Sequence, residues 1–84
     1  MNTREVVRKA VADLAKEDIG TDDSASLFER GVIDSFGLLD LIQSLERSFG
    51  VKVPDSDLSP RRFDNIDKIV AYFDGRTKSG QAGA

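Results

Sequence analysis

The stretch SFGLLDLIQSLERSF, residues 35–49, followed by Gly50, constrains the fold more than any other part of the chain. At about 100° per residue it gathers Leu38, Leu41, Ile42, Leu45 and Phe49 on one side, a stripe wide enough to face a core. Such a run is a helix, and Gly50 is the residue type that closes a helix in a left-handed turn. Nowhere does the sequence alternate apolar and polar residues as a half-buried strand would, and no internal repeat occurs. The stripe must therefore be covered by other helices.

Those helices can be read on either side. Asn2 with Glu5 three residues on has the form of a capping box, and Val6, Val7, Ala10, Val11, Leu14 and Ala15 recur at helical spacing. The spacing predicts a first helix ending near Asp18, with Gly20 as its stop. A long loop follows, IGTDDSASLFERGVI, which Leu27 and Phe28 would anchor to the core. Beyond the central helix, VKVPD is a connector fixed by Pro54, and residues 55–62 hold at most one short helical turn broken near Pro60. A last helix capped by Asp64 or Asn65 presents Ile66, Ile69, Val70 and Phe73 and should stop at Gly75. The reading is all-α: a small antiparallel four-helix bundle, three main helices plus one short one, with a long first loop. Residues 1–75 form the domain and 76–84 a disordered, polar tail.

Composition removes several kinds of function. The chain has 84 residues, enough for one modest core, and no cysteine, so disulfides, thiolate metal sites and a cysteine nucleophile are excluded. It has no histidine, which removes the usual general base for a serine. No run approaches the roughly 18 apolar residues of a membrane span, and the charged N-terminal segment has no secretory h-region. A cytoplasmic location is expected. The net charge of −3 is unevenly spread: residues 17–67 carry twelve acidic groups against five basic ones. An acidic middle disfavours nucleic acid and anionic membranes, favours partners with basic patches, and is also what a merely solvated surface looks like.

The outer side of the central helix is less bland than a solvated face. Phe36 and Leu39 fall beside each other away from the core stripe, flanked by Asp40 and Gln43. Either the long loop folds over this pair or the pair docks a partner, and burying each against one yields roughly 1.5–3 kcal/mol. Gly37 breaks a local rule as well, since glycine inside a helix costs about 1 kcal/mol relative to alanine. Such positions often mark a place where another group comes close. Beside them stands Ser35. Asp34 or Ser35 is a good N-cap. As a nucleophile the serine lacks a base, but at an exposed loop-to-helix junction another enzyme can modify it. A helix N-terminus suits an attached phosphate.

At this point the sequence resembles a known family. GVIDSFGLLDLIQSLERSFGVKVPD is similar to the attachment region of acyl carrier proteins and their peptidyl and aminoacyl relatives. Asp34-Ser35-Phe36 matches the start of the pattern, Leu41, Ile42 and Leu45 its helix, and Phe49 through Asp55 its end. LFERGVIDS resembles the preceding loop and FDNIDKIVAYF the last helix, so the likeness spans residues 3 to 74. The run Asp34-Ser35-Phe36-Gly37 looks most like D-alanyl and other stand-alone aminoacyl carriers. Fatty-acid carriers usually have leucine after the serine and a more acidic helix.

The resemblance implies that Ser35 receives 4′-phosphopantetheine from coenzyme A through a phosphodiester, so that a chain without cysteine carries thioesters on an imported thiol. It implies a docking face of Asp34, Phe36, Leu39, Asp40 and Gln43 for a phosphopantetheinyl transferase, an acyl- or aminoacyl-activating ligase and downstream transferases or synthases. It also implies an acyl-sheltering core of Phe28, Leu38, Ile42, Leu45, Ile66 and Ile69. The expected protein is a monomeric acyl carrier of lipid, polyketide or related biosynthesis, or a D-alanyl or aminoacyl carrier, and not an enzyme. The rival is a helical interaction module in which Ser35 is only a cap. A weak calcium site at Asp18, Asp22 and Asp23 does not reproduce EF-hand spacing.

Overall fold

The computed structural model describes residues 2–83, and side chains as far as Arg76. It contains three α-helices: α1, Thr3–Leu14; α2, Ser35–Phe49; and α3, Ile66–Gly83. A single 3-10 turn, Asp55–Asp57, lies between α2 and α3, and among the described residues there is no strand. The short fourth helix of the expected bundle is thus no more than this turn.

Each helix begins where a side chain can take up its first free amides. Asn2 Oδ1 accepts the Glu5 N–H at 2.8 Å, and Asn65 Oδ1 accepts that of Lys68 at 2.8 Å. Asp64, the other candidate cap of α3, instead accepts the Ser26 hydroxyl at 2.7 Å. α2 closes on Gly50 at φ 68°, whose N–H reaches Glu46 O at 2.8 Å.

Two helix ends differ from the sequence reading. α1 stops at Leu14, short of Asp18, because Ala15 swings to extended backbone (ψ 139°). The Lys16 N–H then bonds Val32 O at 2.9 Å instead of continuing the helix. Gly20 therefore ends no helix. At φ 71° it turns the connection under Arg30, which donates to Ile19 O at 2.8 Å. At the other end, α3 continues through Gly75, which does not adopt a positive φ, as far as Gly83. Glycine weakens a helix interior but does not forbid it. The tail assigned to residues 76–84 lies largely outside the described side chains.

The core draws on all three helices and on the segments between them. Val7, Ala10 and Val11 come from α1, Leu38, Leu41, Ile42 and Leu45 from α2, and Ile66, Ile69 and Phe73 from α3. Leu27, Val32, Ile33, Val53 and Phe63 complete it from the connections, and no polar or charged residue among those described is buried. In the 15–34 connection Leu27 is the buried anchor; Phe28, expected in the core, packs against it only partly buried. α1 packs on both α2 and α3, and Phe49 stacks on Phe73 with ring centroids 5.2 Å apart.

Polar ties hold the connections down. Arg4 bonds Asp23 at 2.6 Å and Asp67 at 2.7 Å, joining α1 to the long connection and to the start of α3. Arg8 pairs with the same Asp23. The Glu46 carboxylate accepts the Val53 N–H at 2.7 Å and folds the connector back along α2. The Tyr72 hydroxyl donates to Asp57 at 2.7 Å and Arg76 donates to it at 2.8 Å, fastening the 3-10 turn to α3. Burial, and then the bond to Asp57, push the Tyr72 hydroxyl above its ordinary pKa of 10.0.

Candidate functional site

The start of α2 divides two tasks between neighbouring residues. Asp34 sits in extended backbone as the N-cap: its Oδ1 accepts the Gly37 N–H at 2.7 Å, and its carbonyl accepts that of Leu38 at 2.8 Å. Ser35 is consequently the first residue of the helix and not its cap. It is exposed, and its hydroxyl has no hydrogen-bond partner among the described residues. Nothing basic activates it, so it is not a nucleophile by its own surroundings. It is an accessible hydroxyl at the positive end of a fifteen-residue helix.

The cap is itself gripped from a second side. The Lys16 ammonium pairs with Asp34 Oδ2. Lys16 first, and then the Gly37 amide, hold the Asp34 carboxyl below its ordinary pKa of 3.8. Sequence reasoning missed Lys16, for nothing in AKEDIG marks it as a partner of a residue eighteen positions on. The odd glycine also finds its reason. A Cβ at Gly37 would lie 2.8 Å from Ile33 Cγ1 and 3.3 Å from Asp34 Oδ1. The groups that come close are the chain's own: the buried residue before the cap, and the cap.

Of the residues read as a docking face, Phe36 is 81% exposed and Leu39 47% exposed, so the long connection does not fold over them. Asp40 and Gln43 are exposed beside them, whereas Asp34 is half-buried and engaged as described. Leu39, Ile42, Gln43, Val53 and Leu58 help line a groove of about 220 Å³ between α2 and the connector. Leu38, Ile42, Leu45, Ile66 and Ile69 are buried together, with Phe28 at their margin.

The three acids weighed for calcium do not converge. Asp18 accepts the Gly20 N–H, Asp22 accepts the amide and hydroxyl of Ser24, and Asp23 is taken by Arg4 and Arg8. Among the described residues no group of three or more possible metal ligands exists, and no helix is long and apolar enough to cross a membrane.

An exposed serine on the first turn of a helix, with the preceding aspartate as cap, coincides with what comparison finds. Residues 5–73 match the family described as phosphopantetheine attachment site. The chain is a member of that carrier family. It is 34% identical over 70 residues to D-alanyl carrier protein 1 of Lactiplantibacillus plantarum, covering 83% of this chain and 88% of the relative. It is 33% identical over 72 residues to the D-alanyl carrier protein of Lacticaseibacillus casei, covering 80% and 89%. It is 36% identical over 70 residues to that of Streptococcus uberis, covering 83% and 89%. The carrier is therefore not an enzyme, and its prosthetic group is 4′-phosphopantetheine. The geometry at the start of α2 fits that group: an exposed hydroxyl with no hydrogen-bond partner among the described residues, on the first turn of a helix whose positive end suits a phosphate.

Proposed function

We propose that Ser35 is the attachment point and that the chain holds acyl or aminoacyl groups, presenting them to separate enzymes. The observation behind this reading is that Asp34, not Ser35, caps α2, which leaves the serine hydroxyl exposed and uncommitted. Ser35 Oγ forms a bond to the pantetheine-side phosphorus of coenzyme A. The pyrophosphate bond breaks, adenosine bisphosphate departs and the hydroxyl proton is released. When bound, the arm supplies the thiol on which cargo rides as a thioester.

The names of the relatives, together with Asp34-Ser35-Phe36-Gly37, favour an aminoacyl cargo, D-alanine first among them. A second reading, an acyl cargo of lipid or polyketide assembly, is favoured by the apolar core of the described residues, in which Leu38, Ile42, Leu45, Ile66 and Ile69 are buried together. In either case Asp34, Phe36, Leu39, Asp40 and Gln43 form the face that meets the phosphopantetheinyl transferase, the activating ligase and the downstream transferases. The arrangement is that of a carrier bundle in which the Asp55–Asp57 turn stands where a short helix is expected. The protein works as a monomer in the cytoplasm.

Intact-mass measurement after incubation with coenzyme A and a broad-specificity phosphopantetheinyl transferase tests the attachment. A phosphopantetheine-sized gain that Ser35→Ala abolishes is expected. No gain under conditions that load other carriers leaves the interaction module as the better reading. Offering the loaded protein to a panel of adenylating enzymes with D-alanine, other amino acids and fatty acids then decides the cargo.

A further inference from the structure

Lys16 reaches the start of α2 from the far end of the long connection, and its course is fixed at two points. Its main-chain N–H donates to Val32 O at 2.9 Å, tying it to the segment that enters the helix. Its ammonium, on a side chain 64% exposed, meets Asp34 Oδ2. The two oxygens of Asp34 are thereby divided, Oδ2 to Lys16 and Oδ1 to the Gly37 amide at 2.7 Å.

A phosphodiester on Ser35 Oγ adds a negative charge one residue from this carboxylate. Two neighbouring anions repel, and the Asp34 side chain, kept in place by the Gly37 amide and the Lys16 ammonium, is the one that can turn away. If Asp34 left Gly37, the first turn of α2 would lose its cap at the residue that anchors the arm. The free amides of the helix start offset part of the new charge. A compact ammonium on a flexible stem, already in place, can offset more by serving both anions. We propose that Lys16 is the counter-ion of the loaded carrier: its ammonium bridges the Asp34 carboxylate and the phosphate on Ser35, and so keeps the cap on Gly37. This rests on the reading of Ser35 as the attachment point.

The test compares Lys16→Met and Lys16→Arg with the wild type, each melted before and after complete loading as judged by intact mass. In low salt Lys16→Met should lower the melting temperature by about 2–4 °C more in the loaded form than in the unloaded form. Lys16→Arg should restore most of that difference, and salt near 1 M should shrink it. The phosphorus NMR resonance of the loaded protein should shift in Lys16→Met and return towards the wild-type position in Lys16→Arg. Equal melting losses in both forms with an unmoved phosphorus resonance would sink the proposal and leave an ordinary surface ion pair. Loading of wild type and Lys16→Arg but never of Lys16→Met would overturn it too, assigning Lys16 to recognition by the transferase. A wild type that gains no mass at all refutes the attachment point instead.

Discussion

The Asp34 carboxylate accepts the Gly37 amide at 2.7 Å, and through that bond the aspartate takes the role a serine so often fills. Replacing Asp34 by alanine should lower the melting temperature by a few degrees, and serine or asparagine there should recover most of it. Helix content by circular dichroism should fall little, because packing holds the remaining turns.

The same carboxylate sets an acid limit. Its pKa is lowered from 3.8, by Lys16 before Gly37, so the ionised form is favoured by folding. Its stabilisation is present above that ordinary value and is lost as pH falls below it through the folded value. Thermal melts of wild type and Asp34→Asn should differ near neutrality and converge below about pH 4. A gap that stays constant into acid would show that the ion pair with Lys16 contributes nothing.

Gly37→Ala reverses the usual sign of its class. In an open helix the change is worth about 1 kcal/mol in favour of alanine. Here the new methyl would stand 2.8 Å from Ile33 Cγ1, a buried side chain, and 3.3 Å from the cap oxygen. Overpacking of this kind costs about 1–3 kcal/mol, so urea unfolding should show a net loss of stability.

Phe36 and Leu39 should separate stability from recognition. Phe36→Glu should leave the melting temperature nearly unchanged, since its ring is 81% exposed. Leu39→Glu should cost little more. Each should reduce kcat/KM for loading by a phosphopantetheinyl transferase by about tenfold or more if these side chains insert into the partner. Unaltered loading in both variants would remove this face from the docking surface.

Phe73→Ala is the opposite case. The ring is fully buried, stacked 5.2 Å from Phe49 and edge-on to Tyr72. Its loss should cost about 3–5 kcal/mol, a large share of the stability of a domain this small. Unfolding monitored by circular dichroism should begin near room temperature.

Where local pattern decides the structure, the sequence could be read. α2 spans Ser35–Phe49 and closes on Gly50, because a strong apolar period and a terminal glycine both act within a few residues. Where distant groups decide, it could not. Ala15 leaves α1 because Lys16 finds Val32, and Gly20 turns because Arg8 and Arg30 bind the carbonyls around it. Val32, Ile33, Val53 and Phe63 lie outside any helical period, so no repeat announced their burial. At the site, Ser35 and the exposed pair were legible from motif and helical wheel. The choice between Asp34 and Ser35 as cap was not, since both residue types serve.

α2 is fastened at both ends, by Asp34 at the first turn and by Gly50 at the last. With Ser35 as the proposed attachment point, an arm there would be rooted on the opening residue of a helix held at both ends, and its reach would be a dome set by its own length. With a partner on the proposed docking face of that helix, the local concentration of cargo at the partner's catalytic centre would follow from tether geometry.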